Sequence, residues 1–258
     1  MNTTATRAAR IPSLSRSIVH AIDDFDLGSF RKIAANFGQQ RFGFVVTPNV
    51  DHLIRFHEDW NFRASYAAAD YVLLDSRFAA RLAAIVTGQK LPVCTGSDLT
   101  RVLLTEVAQA SDRIVVVGGR PDDVARLARE HGLTILHHDP PMGFIRDPRA
   151  VEECLQFIEA ASPFRFCFLA IGSPQQEAIA ARLRQRGIVR GLALCVGASL
   201  DFLTGVERRA PLWVQRLGCE WLFRLLQNPR RLARRYLVRG PRIFFYLWRD
   251  RLVLRRAA

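Results

Sequence analysis

The sequence predicts an α/β protein: one doubly wound, mostly parallel sheet flanked by helices, followed by a basic helical appendage. Three observations lead there. Short apolar, β-branched runs alternate with amphipathic stretches from residue 42 to residue 205, the pattern of parallel strands covered by helices on both faces. Those runs break at Gly, Pro, Asn or Asp, the residues that turn a strand into the next helix. From Glu207 onward the composition changes to fourteen Arg against three acidic residues, a balance of +11 out of +13 for the 258-residue chain.

That asymmetry sets a nearly neutral body against a tail whose partner is anionic, either a membrane surface or nucleic acid. The expected plan is a mobile arm at residues 1–17, a body at 18–206 and an appendage at 207–258. About half of the residues are apolar, enough to bury a full core. The five cysteines are odd in number, widely separated and mostly flanked by apolar residues, with no CxxC or Cys/His spacing. Buried free thiols in a reducing cytoplasm are the expectation. No apolar run approaches the roughly 18 residues of a membrane span, and the basic N-terminus from Thr3 to Ser17 lacks the apolar core of a secretion signal.

The first strand, Phe42 to Val46, breaks at Thr47-Pro48-Asn49, and a second run, Tyr71 to Leu74, delivers Asp75. Ligands of open α/β sheets sit outside the carboxyl ends of the strands, so Thr47, Asn49 and Asp75 are expected to share one crevice. Asp75 has two readings: a general base, or the cap of a helix starting at Ser76. Asp98 is read as the N-cap of a helix reaching Ala110. The strand Ile114 to Val117 ends in Gly118-Gly119-Arg120-Pro121, either a backbone approach to a phosphate or ribose, or a tight turn.

Leu133 to His137 reads as a further strand, and Val151 to Ala160 as a helix. The adjacent His137 and His138 point to opposite faces of their strand, which argues against a shared metal ion and for a loop shaped by Pro140, Pro141 and Gly143. The strand Phe164 to Ile171 ends at Gly172, and Gln176 and Glu177 follow in the first turn of a helix at the crevice mouth. The last strand of the body, Leu192 to Val196, leads to a loop carrying Asp201. Gly118, Gly119, Gly143, Gly172, Gln176, Glu177 and Asp201 are the candidate ligand contacts of this part of the chain.

In the tail, Leu212 to Gln227 reads as one amphipathic helix with Arg216, Glu220 and Arg224 on one face. After Asn228-Pro229 a second helix carries Arg230, Arg231, Arg234 and Arg235, and after Gly240-Pro241 comes RIFFYLWRDRLVLRR. Arginine interleaved with Trp, Phe, Tyr and Leu is the composition of a helix lying in a membrane interface. A nucleic-acid-binding tail is the competing reading. Against it, the tail has no Lys and is built on Trp, Phe and Leu faces.

Several ordered motifs resemble the WecG/TagA/CpsF glycosyltransferases. They are Thr47-x-Asn49, Ala69-Asp70-x-Val72-x-x-Asp75, Thr95-Gly96-Ser97-Asp98-Leu99, Pro140-Pro141-Met142-Gly143-Phe144 and Gly172-Ser173-Pro174-Gln175-Gln176-Glu177. In the tail they are Arg209-Ala210-Pro211-x-Trp213, Glu220-Trp221-x-x-Arg224-Leu225, Asn228-Pro229-Arg230-Arg231 and Arg235-Tyr236. The resemblance implies a Rossmann-like body and an inverting transfer without a bound metal or other cofactor. The donor would be a UDP-sugar and the acceptor a polyprenyl-diphosphate-linked sugar, in exopolysaccharide, capsule or wall-polymer synthesis.

It also implies a cytoplasmic protein held peripherally on the anionic inner face of the membrane by its appendage, with a homo-oligomer left open. The base role falls to Asp75, sugar or acceptor contacts to Thr47, Asn49 and Gln176, and diphosphate contacts to Arg216, Arg224 and Arg231. Two departures from the family pattern stand out. Asp75 is followed by Ser76 instead of Gly, and Pro92-Val93 replace a Glu-Arg pair. These departures leave the donor open among N-acetylmannosamine, its uronic acid and glucose, and raise the reading of an inactive family member.

Overall fold

The computed structural model describes residues 19–257; the arm expected at 1–17 lies outside the described residues. Strands form at Phe42–Val46 (β1), Tyr71–Val72 (β2), Arg113–Val117 (β3), Thr134–His138 (β4), Phe166–Leu169 (β5) and Gly191–Cys195 (β6). The chain divides into two compact units. One comprises residues 27–46 and 96–208, and the other joins three segments: residues up to 26, 47–95 and 209 onward.

The first is a sheet unit. Its strands lie in the order β1-β6-β5-β3-β4, every neighbouring pair parallel, with Val46 opposite Cys195 and Val117 opposite both Leu169 and His138. Parallel strands buried on both faces need continuous apolar sequence, and Val45, Val115, Val116, Phe168 and Leu194 are fully buried. Helices Pro121–His131, Pro148–Ala160 and Gln175–Arg186 return the chain between strands. This is the Rossmann-like α/β layering that the alternating pattern predicts.

Asp98 does not cap a helix. The helix begins earlier, at Gly96, whose carbonyl accepts from the Thr100 hydroxyl at 2.7 Å, and gives way after Val102 to a π-helical turn, Leu103–Val107. The two histidines of β4 part as strand geometry requires: His137 Nε2 lies 3.1 Å from the Gly118 carbonyl, and the His138 ring stacks on Phe157. Among the described residues no group of three or more His, Cys, Asp or Glu is placed to hold a metal ion.

The three-segment unit is mostly helical. β2 is shorter than the expected Tyr71–Leu74 run and is held by Asp23, whose carboxylate and backbone N–H bond the Val72 N–H and carbonyl. Leu73, Leu74 and Asp75 follow it, with Cys94 N–H donating to the Leu74 carbonyl (3.0 Å) and Asp75 N–H to the Pro48 carbonyl (2.8 Å). The single helix expected over Leu212–Gln227 is two, Leu212–Arg216 and Glu220–Gln227. Gly218 breaks it: its φ of +71° is left-handed, and a Cβ there would lie 3.4 Å from the Phe78 backbone nitrogen. Pro229–Ala233, a π-helical turn at Arg234–Arg239, and Arg242–Ala257 complete the unit. Among the described residues no helix is long and apolar enough to cross a membrane.

Two histidines of helix Val50–Glu58 are buried neutral in this unit. Burial, aided by the charges of Arg249 and Arg63, lowers the His57 pKa from 6.5 to about 4. Burial and the nearby Arg235 lower that of His52 to about 3. An unfolded chain takes up these protons near pH 6.5, and the folded chain declines them until well below pH 5. Stability is therefore expected to be full above pH 6.5 and to fall as the pH drops from there, by up to about 1.4 kcal/mol per pH unit and per histidine. Urea midpoints at pH 7 and pH 5 measure this, and His57→Gln is expected to flatten the dependence. Equal pH slopes in the two proteins would remove His57 from the account.

Candidate active site

In the three-segment unit, backbone pairing brings the first group of nominated residues together. Thr47, buried at 3% exposure, follows β1 in the chain, and the Pro48 carbonyl that comes next is bonded by the N–H of half-buried Asp75. Asn49 is the N-cap of helix Val50–Glu58, its Oδ1 accepting from the N–H groups of Asp51 and His52. An amide and a carboxylate thus occupy one corner, each on a short backbone lever.

Asp75 is not a helix cap. The helix behind it runs Arg77–Thr87 and is capped by Ser76, whose Oγ accepts from Ala79 N–H at 3.1 Å. Of the two readings of Asp75, capping therefore falls to its neighbour. The serine that departs from the family's Asp-Gly pair does a local structural task. Ser76→Gly is expected to cost only a few tenths of a kcal/mol and Ser76→Ala about 1 kcal/mol, both with turnover of the folded protein unchanged. A ten-fold fall in turnover for either, at unchanged melting temperature, would give Ser76 a chemical role.

The appendage segments flank this corner. Just past Asp75, Arg77 pairs with Glu220 at 3.5 Å and the Phe78 ring meets Trp221, which in turn meets Tyr236. The Arg81 guanidinium donates to the carbonyls of Arg216 and Leu217. Just past Asn49, Arg235 and Arg239 approach Asp51 at 3.7 and 3.8 Å, and Arg239, Arg242 and the Tyr246 hydroxyl bond Glu58. Burial pushes the Glu58 carboxyl up, but those hydrogen bonds outweigh it, so its pKa lies below the ordinary value. His57 stacks on Tyr246 with ring centres 4.6 Å apart and accepts a hydrogen bond from Arg249.

Of the arginines nominated for a diphosphate, Arg216 is exposed and Arg224 half-buried. The side chain of Arg231 lies outside the described residues. Asp51, Glu58, His57 and Arg242 were not singled out from the sequence. A signal was present, because Asp51 and Glu58 are seven residues apart, as are Arg235 and Arg242. Two turns of acid matched by two turns of base is a pairing pattern, although nothing local says which helix answers which.

In the sheet unit a second group gathers where the strands end. Gly118, with φ +89°, lies so close to the segment that leaves β5 that a Cβ would sit 3.0 Å from the Ala170 carbonyl carbon and oxygen. That close approach fits the tight-turn reading of Gly118-Gly119. Gly172 opens the loop after β5, Gly143 the short turn after β4, and Asp201 lies in helix Ser199–Leu203 after β6. Gln176 and Glu177 are not at a crevice mouth: they are 2% and 0% exposed. Gln176 Oε1 accepts from Gly197 N–H (2.8 Å) while its Nε2 donates to Glu177 Oε1 (3.0 Å), which buckles the loop after β5 to the loop after β6. A surface groove of about 490 Å³ between helices Pro148–Ala160 and Gln175–Arg186 contains none of the nominated residues.

The chain thus has a parallel α/β sheet unit and a unit that sets a carboxylate and an amide among arginine-bearing helices. The chain belongs to the WecG/TagA/CpsF family of glycosyl transferases, whose family model matches residues 19–257. It is a glycosyltransferase of a family that works in polysaccharide biosynthesis.

Proposed function

We propose that the protein is an inverting glycosyltransferase that moves a sugar from a UDP-sugar to a polyprenyl-diphosphate-linked sugar at the inner membrane face. The donor sugar is N-acetylmannosamine, its uronic acid or glucose. Asp75 takes the proton from the attacking acceptor hydroxyl, Thr47 and Asn49 contact the sugars, and Arg216, Arg224 and Arg231 hold a diphosphate, which guanidinium geometry suits. Gln176 and Glu177 brace the loops at Gly172 and Gly197 from within instead of meeting the ligand at the surface. The observation that carries this reading is the anchoring of the appendage on both flanks of the Asn49–Asp75 corner, through Arg77–Glu220 and Arg235–Asn49. The cations that must stabilise a departing UDP thereby belong to the same unit as the base.

The membrane half of the reading rests on side chains the unit leaves uncovered. Leu212, Trp213, Leu226, Phe244, Phe245 and Trp248 are each more than half exposed. Arg235, Arg239 and Arg242, by contrast, are engaged by Asp51 and Glu58. A tail that spends arginines internally and shows aromatics outward suits a lipid interface better than nucleic acid. The deciding experiment is a donor screen with the purified chain, a short-chain polyprenyl-diphosphate-sugar acceptor and a panel of UDP-sugars, reading UDP release and product mass. Release with one donor establishes the class and the sugar. Silence with every donor and acceptor would favour an inactive family member.

A further inference from the structure

The Asn49 carboxamide is held by its oxygen alone. Oδ1 accepts from Asp51 N–H (3.1 Å), from His52 N–H (3.4 Å) and from Arg235 Nη2 (3.3 Å). With three donors converging on one atom, the flipped amide would face them with its own hydrogens, so the network fixes which end points where. Nδ2 makes no hydrogen bond among the described residues, and Asn49 is only half-buried. Capping needs nothing but an acceptor, which Ser or Asp supplies equally well. What asparagine adds is the outward-facing NH2. Arg235 is itself steered by Asp51 at 3.7 Å, a carboxylate 9% exposed that Arg55 and Arg239 also approach.

We propose that Arg235 is a positioning residue: it locks the Asn49 carboxamide so that the NH2 is presented to an oxygen acceptor of the ligand, a sugar or phosphoryl oxygen. Seating the appendage on helix Val50–Glu58 and preparing the site are then one event, transmitted through one side chain. The inference rests on the glycosyltransferase reading of this corner. It differs from the diphosphate role given to the other arginines, because Arg235 acts on the protein and touches no ligand.

The test is a double-mutant cycle on the full chain, backed by a readout that needs no turnover. Asn49→Ser keeps a cap of equal rank, so its melting temperature should match the parent while kcat/KM falls about ten-fold, the worth of one hydrogen bond. Arg235→Ala should cost a similar factor in the parent and no more than about two-fold in the Asn49→Ser background, since in that background the group it orients is gone. Multiplying effects would overturn the proposal and make Arg235 a direct ligand contact. The chain has five asparagines, so selective ¹⁵N-Asn labelling gives five side-chain NH2 pairs, with that of Asn49 assigned by its loss in Asn49→Ser. In the milder Arg235→Lys this pair should shift; an unmoved pair would also overturn the proposal. Should the parent turn over no donor, the glycosyltransferase reading fails, and the labelled amide still decides whether Arg235 sets Asn49.

Discussion

Asp75→Asn is expected to lower turnover by about 10² or more, the usual contribution of a general base, while leaving UDP-sugar binding nearly intact. The substitution is close to isosteric. The Asp75 N–H bond to the Pro48 carbonyl is a backbone bond and survives it, and the helix behind keeps its cap in Ser76. Loss of activity with an unchanged melting temperature would therefore report chemistry and not folding. Binding by calorimetry and single-turnover product formation separate the two steps. Retention of full activity would remove Asp75 from the mechanism and shift attention to an acceptor activated by some other group.

Replacing Phe245 and Trp248 together by serine is expected to reduce association with anionic liposomes about 10²-fold, taking roughly 1.5 kcal/mol or more per buried aromatic. The helix Arg242–Ala257 is two-sided. Ile243, Leu247 and Asp250 are buried within the unit, whereas Phe244 (52%), Phe245 (58%) and Trp248 (54%) face outward. The double substitution spares the packed side, so the protein should stay folded, which circular dichroism checks. Activity should fall on a long-chain acceptor in vesicles and persist on a short soluble one. Undiminished flotation with liposomes would refute docking through this face. High salt should weaken the parent's binding only in part, because screening touches the arginine contribution and not the aromatic one.

The sheet was legible because a parallel strand must be apolar throughout. Phe42–Val46 is read to the residue, and the runs around Ile114, Phe166 and Leu192 fall within two residues of β3, β5 and β6. The Asn49–Asp75 corner was legible for the same reason, since both polar groups interrupt apolar runs. The break at Gly218 was not, because the apolar period continues across it and one glycine is tolerated in a helical pattern. Only the approach of the Phe78 backbone, 140 positions away in the sequence, demands the left-handed turn, and no local pattern encodes that neighbour. The same holds for Gln176 and Glu177. A polar first turn usually faces water, and their burial follows from the Gly197 amide that Gln176 satisfies. The ladder of Asp51 and Glu58 with Arg235, Arg239 and Arg242 is likewise a tertiary fact: both halves stand in the sequence, but their partnership does not.

The order in which the chain supplies its parts gives the three-segment unit a timetable. Every residue of the sheet unit has been synthesised by position 208, whereas helix Val50–Glu58 meets its arginines only when residues 235–242 emerge. Domains fold largely as they leave the ribosome. The sheet unit can therefore close first, and the stretch 47–95 must wait for the arginines of residues 235–242, with only Arg55 of its own helix to meet Asp51. A nascent chain arrested before residue 235 would carry Asp75 but lack the arginine that steadies Asn49. On the proposed reading, competence and the exposed aromatic face of the tail would then arise together, late in synthesis.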